Sequence, residues 1–176
     1  MKDRERSRAV LVLEIRDRNK TDRGVIARLL VERETRYERY ADGQLDMAHI
    51  ELSYCMIGVP VGPASGQGAF RGCYSAVQNR VSATASDVWG HGFVTIDLPG
   101  LEGQRIGTYL MNEIVCWIRQ WPDAYLNSIE LLAGQAYGKN TARRNRFYEQ
   151  FGFAFDYADP AHRAGMSRAI KDIADG

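Results

Sequence analysis

The sequence has few cysteines, no long apolar run and no surplus of charge of either sign, and each lack excludes something. Its three cysteines, Cys55, Cys73 and Cys116, are odd in number and widely spaced. They make no disulfide framework and no paired metal-ligand spacing, so buried free thiols are expected. The three histidines, His49, His91 and His162, form no close pair with one another or with a cysteine. No metal site is expected from them. No window approaches the roughly 18 apolar residues of a membrane span, so no membrane partner is expected. Lys and Arg total 23 against 22 Asp and Glu, a formal net charge of +1. That balance argues against nucleic acid as the partner, because domains that bind it are usually overtly basic.

What is present fits one folded domain over residues 1–176. Hydrophobic residues make up 45% and charged residues 26%, too apolar and too evenly charged for a disordered chain. A chain of this length buries a substantial core without staples. Near the start, Ala9-Val10-Leu11-Val12-Leu13 is followed at once by Glu14, Arg16, Asp17 and Arg18. The run is too short for a secretory signal and lacks a small-residue cleavage site. It reads as a strand opening the fold, with a cytoplasmic location as the expectation.

Along the chain, Leu11 to Ile15 reads as a strand. From Asp22 the pattern is double. Ile26, Leu29, Leu30, Tyr37 and Tyr40 fall on helical spacing with Gly43 as a cap, while Val25, Ala27, Leu29 and Val31 alternate as in a strand. The abundance of Arg, Glu and Leu favours the helix. Met47 to Ile57 reads as a strand, and 58–68, rich in Gly, Pro and Ser, as a loop. Residues 70–88 carry no clear pattern. Phe93-Val94-Thr95-Ile96 is a β-rich run ending at Leu98-Pro99-Gly100. A helix from about Arg105 to Trp121 follows, with Ile106, Leu110, Ile114, Trp117, Ile118 and Trp121 on one stripe and Pro122 as its stop. Ser128 to Ala133 reads as a strand and Ala142 to Gln150 as a second helix, and Phe151 to Phe155 starts another strand. This order indicates an α/β or α+β domain with at least one crossover.

The junction from Pro99 to Thr108 carries the chemistry. It joins a strand to a helix start, where unpaired backbone N–H groups and the positive helix end suit an anion such as a pyrophosphate. Gly100, Gly103 and Gly107 allow close backbone approach. The plain alternative is a turn whose glycines serve geometry alone.

The helix start Gly107-Thr108-Tyr109-Leu110-Met111-Asn112 and the later segment Asn145-Arg146-Phe147-Tyr148-Glu149-Gln150-Phe151-Gly152-Phe153 together resemble the GNAT superfamily of acetyl-CoA-dependent N-acetyltransferases. The resemblance covers roughly residues 91–155. It implies a mixed, largely antiparallel central sheet flanked by helices. It also implies a loop of the form [R/Q]-x-x-G-x-[G/A] around the CoA pyrophosphate. With Gly107 on the last small position, Glu102 stands where Arg or Gln is expected and Arg105 where the central Gly is expected. A second register puts Gln104 first, Gly107 in the centre and Tyr109 last.

By this resemblance acetyl-CoA is the cosubstrate, held by the N–H groups of Gly103, Gln104, Arg105, Ile106, Gly107 and Thr108. Ile96, Leu98, Asn140 and Arg143 lie beside it, and Tyr148 is the general acid for the thiolate. The plain alternative for Tyr148 is an aromatic packing its helix face. His91, at the start of the strand that leads to the loop, is the leading candidate for the base. A hydrogen-bonded turn histidine is its plain alternative. Asp97 and Glu130 are lesser candidates. Lys139, Arg143, Arg144 and Arg146 put four cations in eight residues near the expected phosphates, though a solvated basic helix face would explain each singly. The expected function is acetyl transfer to a small-molecule or protein amine. A CoA-binding module without transferase activity and a toxin-type enzyme acting on aminoacyl-tRNA are the alternatives. Loop 58–68 and the aromatics Tyr37, Tyr40 and Tyr54 are candidates to border the acceptor, with core packing as their other explanation. A homodimer is the one self-association in view.

Overall fold

Long strands run back and forth through the first half of the chain. In a computed structural model that describes residues 2–17, 24–57, 66–89, 94, 98, 100–129, 140–155 and 168–169, β1 (Asp3–Arg16), β2 (Val25–Arg39), β3 (Leu45–Met56) and β4 (Gln67–Ser75) pair antiparallel in sequence order. β5 (Arg80–Ser82) pairs antiparallel with β4. The chain then passes through α1 (Ile106–Ile118) to β6 (Tyr125–Leu126), which lies parallel to β5. Such a parallel step needs a crossover, and α1 supplies it. β7 (Arg168–Ala169) pairs antiparallel with β6, and α2 (Asn140–Glu149) lies between them in sequence. Among the described residues the sheet runs β1 to β7 in order. The fold is mixed α+β on a mostly antiparallel sheet.

The two faces of the sheet differ in chemistry. In β3, Asp46, Ala48, Ile50, Leu52 and Tyr54 are buried while the residues between them are half-buried, the period of two that a strand imposes. The register puts Val31 of β2 opposite Tyr54 and Thr35 opposite Ile50, so the apolar positions form one continuous face. α1 lies against β3 and β4 on that face, burying Ile106, Leu110, Met111, Ile114, Val115, Trp117 and Ile118. Gly72 of β4 makes the close approach possible. A Cβ there would lie 3.1 Å from Ile114 Cγ2, from Ile50 Cγ2 and from the Ser82 carbonyl oxygen.

The opposite face is a charge ladder. Arg4 pairs with Glu38 at 3.2 Å, Arg28 with Glu14 at 3.1 Å and Arg71 with Glu51 at 3.1 Å. Arg8 pairs with Glu32, and Glu34 is held by Arg6 and Arg36. The Arg6 hydrogen bond, then that of Arg36, pulls the Glu34 carboxyl down to about 2.

Several expectations need correction. Residues 25–39 form β2, not a helix. Their propensity for helix yields to the pairing of both strand edges, with β1 on one side and β3 on the other. Gly43 is no helix cap; with φ +85° it sits in the turn between β2 and β3, where a left-handed residue is needed. The opening strand begins at Asp3, well before Leu11. Of the expected loop 58–68, Gln67 and Gly68 belong to β4, and 58–65 lie outside the described residues. The unassigned stretch 70–88 contains most of β4 and all of β5.

α1 ends at Ile118, short of Trp121, although tighter bonds from Gln120 N–H to Trp117 O (3.3 Å) and Trp121 N–H to Ile118 O (3.1 Å) continue the turn to Pro122. Ser128 and Ile129 are not in a strand, and the chain pairs earlier, at Tyr125 and Leu126. Residues 153–155 form no strand. Of the free cysteines, Cys73 is buried, Cys55 half-buried and Cys116 exposed, so burial is not common to all three. Among the described residues no helix is long and apolar enough to cross a membrane.

Candidate functional site

The loop before α1 is shaped by three left-handed residues. Gly100 has φ +80°, Gly103 +82° and Arg105 +60°. An L-residue with a side chain pays about 1–2 kcal/mol in that region, so Arg105 occupies a position fitted to glycine. Two bonds hold the loop: Leu101 N–H to Leu98 O at 3.0 Å and Gln104 N–H to Leu101 O at 3.3 Å. The first helical bond runs from Tyr109 N–H to Arg105 O at 3.0 Å.

That leaves a row of donors. Among the described residues, the N–H groups of Gly103, Arg105, Ile106, Gly107 and Thr108 donate to no carbonyl. Gln104, expected to share in the cradle, spends its N–H on Leu101. The helix start carries no side-chain cap and no acidic residue in its first turn. Its positive end is therefore uncompensated, and an anion is the group it suits. Leu98 and Leu101 are buried beneath the loop, while Gly103 and Arg105 are exposed.

α2 meets this helix start. Gln150, one residue past α2, donates from Nε2 to Thr108 Oγ1 at 3.2 Å. Tyr148 lies on the inner side of α2, only 4% exposed. It packs edge-on to Phe147, with ring centroids 5.0 Å apart, and edge-on to Phe153 at 6.0 Å. Burial pushes its phenol up to about 12, and a backbone hydrogen bond from Val94 pulls the other way. The group stays protonated near neutral pH, the state an acid needs and a base does not. Val94 belongs to the segment leading to the loop, so Tyr148, Val94 and Thr108 tie α2 to both sides of that loop.

Among the described residues most cations of the sheet are ion-paired. Lys2 and the arginines of the charge ladder have carboxylate partners. Arg105, Arg143 and Arg146 are exposed and have no carboxylate partner among the described residues. Arg144 is half-buried and donates to Asn145 Oδ1 at 3.1 Å. Arg105 on the loop and Arg143 and Arg146 on α2 are thus cations available to a phosphate; on the sheet, Arg39 and Arg80 bond neutral oxygens, of Gly43 and Asn127.

The other expected residues fall out as follows. His91, Ile96, Asp97, Glu130 and Lys139 lie outside the described residues. Asn140 begins α2. Tyr54 is buried over Gly68, and Tyr37 accepts from Trp117 Nε1 at 3.1 Å. Tyr40 donates to Asp46 Oδ1 at 2.7 Å. These contacts fit packing rather than an acceptor pocket. Among the described residues no cluster of His, Cys, Asp and Glu could hold a metal. The Thr108–Gln150 contact was not foreseen; the spacing of two polar residues on different helices gives no signal for it. No family model, curated protein or solved structure matches the chain.

Proposed function

We propose that the chain is an acetyl-CoA-dependent N-acetyltransferase of the GNAT type, acting on a primary amine. The carrying observation is the uncapped start of α1, with its row of N–H groups that donate to no carbonyl among the described residues, tied through Thr108 and Gln150 to the helix that bears Tyr148 and Arg143 and Arg146, which have no carboxylate partner among the described residues. The fit to a polyphosphate rests on those donors and cations. Bound acetyl-CoA would supply a thioester as the acetyl donor. The N–H groups of Gly103 and of Arg105 to Thr108 would bind its pyrophosphate, with Arg105, Arg143 and Arg146 adding charge. Tyr148, protonated by virtue of its burial, would pass its hydroxyl proton to the departing sulfur. His91 is the proposed acceptor of the amine proton, a role an imidazole nitrogen can fill.

Thiol release from acetyl-CoA over a panel of small and peptide amines tests this. Wild-type protein is expected to turn over at least one of them. Tyr148→Phe is expected to keep CoA affinity and lose rate by roughly a hundredfold or more. His91→Ala should lower the rate and change the shape of its pH profile. An unchanged rate in Tyr148→Phe would remove that residue from the mechanism. The near-complete burial of Tyr148 favours a second reading, a CoA-binding module without transfer. Saturable CoA binding with no thiol release on any amine would support it.

A further inference from the structure

β1 is the outermost strand of the described sheet, paired with β2 on one side only. Its centre is apolar and open, with Val10 59% exposed, Leu11 38% and Val12 55%. Edge strands are usually blunted by charge, proline or a bulge. In β1 the run Ala9-Val10-Leu11-Val12-Leu13 has none of these, and the bulge lies beyond it, at Ile15/Arg16. The flanks are charged with opposite signs: Arg8 before the run and Glu14 after it. The segment is thus symmetric in polarity about Leu11 and antisymmetric in charge.

We infer that β1 pairs antiparallel with β1 of a second copy of this chain, about a two-fold axis at Leu11. Residues opposite one another in an antiparallel pair share a face, so the permitted two-fold registers shift in steps of one residue along the axis. With the axis at Leu11, Val10 meets Val12 of the second copy, Ala9 meets Leu13, and Arg8 meets Glu14. All five apolar positions then face apolar ones. With the axis at Val10, Arg8 opposes Val12; with the axis at Val12, Val10 opposes Glu14 and Arg8 opposes Arg16. Only the Leu11 axis satisfies both the apolar run and its flanking charges.

The existing ion pairs extend across this axis. Within one chain, Arg28 pairs with Glu14 at 3.1 Å, and Arg8 pairs with Glu32. In the dimer the sequence of groups on the charged face becomes Arg28, Glu14, then Arg8 and Glu32 of the second copy, alternating in sign. Arg6 opposes Arg16 of the second copy, but each keeps a carboxylate of its own, Glu34 and Glu14. The interface is isologous, so it closes on two copies. It is independent of the acetyl-transfer reading.

Sedimentation velocity over a concentration series tests the pairing, with cysteine cross-linking as a second measurement. Wild-type protein is expected to show a monomer–dimer equilibrium. Val10→Lys with Val12→Lys is expected to leave only monomer at concentrations where wild type is dimeric. In a Cys116→Ser background, Leu11→Cys should form a disulfide-linked dimer on mild oxidation, because position 11 faces itself across the axis at a separation a disulfide spans. Val10→Cys, which faces Val12, should cross-link far less. The cross-linking variants keep the strand intact, so they decide the matter even if the double lysine variant does not fold. Monomeric wild type at every concentration, an open-ended assembly, a dimer that survives the lysines, or cross-linking at 10 in preference to 11 would overturn the inference.

Discussion

Gln150 and Thr108, forty-two positions apart in sequence, are joined by a hydrogen bond from Nε2 to Oγ1 at 3.2 Å. This bond fastens the end of α2 to the first turn of α1. It is solvent-exposed, so its share of global stability is small, at the low end of about 0.5–1.5 kcal/mol. Its effect on the site should be larger, because Thr108 is the last of the open N–H donors. Gln150→Leu is expected to leave the midpoint of urea unfolding nearly unchanged and to weaken CoA binding several-fold by calorimetry. Equal CoA affinity in the two proteins would show that the helices hold the loop without this contact.

Arg105 offers a test in which stability and binding should move in opposite directions. Replacing it by glycine relieves about 1–2 kcal/mol of left-handed strain and costs about 0.5–1 kcal/mol of added chain entropy. A net gain of up to about 1.5 kcal/mol in unfolding free energy follows. The same change removes an exposed cation from the loop, so CoA affinity should fall. Arg105→Val, β-branched and poorly suited to this conformation, should lose both stability and affinity. A fall in the stability of Arg105→Gly would mean that the arginine side chain makes a contact worth more than the strain.

Gly72 tests the packing that sets α1 on the sheet. Gly72→Ala places a methyl 3.1 Å from Ile114, Ile50 and the Ser82 carbonyl oxygen. The carbonyl is backbone and yields little, so a loss of about 1–3 kcal/mol is expected from chemical denaturation. No measurable loss would mean that α1 rides farther from β4 than 3.1 Å contacts allow.

Part of this architecture was legible in the sequence and part was not. The stripe of Ile106, Leu110, Ile114 and Ile118 announced α1, because its core contacts repeat within a short window. The α2 segment with its aromatic end was legible for the same reason, as was the glycine-bearing turn into α1 at Gly103; the strand expected at Phe93 to Ile96 lies, Val94 apart, outside the described residues. β2 was misread because Glu32, Glu34, Arg36 and Glu38 look like a helix surface. The cross-strand partners of the three glutamates, Arg4, Arg6 and Arg8, lie more than twenty residues away in sequence, and no local window contains both. β5 and β6 are too short for periodicity to register. The left-handed Arg105 left no trace, since the usual mark of that conformation is a glycine or asparagine.

Glu34 gives the charge ladder a pH signature. Its carboxyl ordinarily titrates near 4.5, and the Arg6 and Arg36 hydrogen bonds lower it to about 2 in the folded protein. A folded-state value below the unfolded one stabilises above the unfolded value and is lost as pH falls through the folded one. Wild-type stability should therefore drop between about pH 4.5 and pH 2. Glu34→Gln should be less stable at neutral pH and show a shallower decline over that window in thermal melts. Parallel curves for the two proteins would mean that the arginines do not hold the carboxylate in solution.

The proposal that CoA binds at the start of α1 is most directly tested by following backbone amide signals during titration with CoA. The expected result is saturable, one-to-one shifts concentrated at Gly103, Arg105, Ile106, Gly107 and Thr108, with smaller changes at Arg143 and Gln150. Absence of saturable shifts at these amides, or saturation confined to residues elsewhere on the sheet, would contradict it.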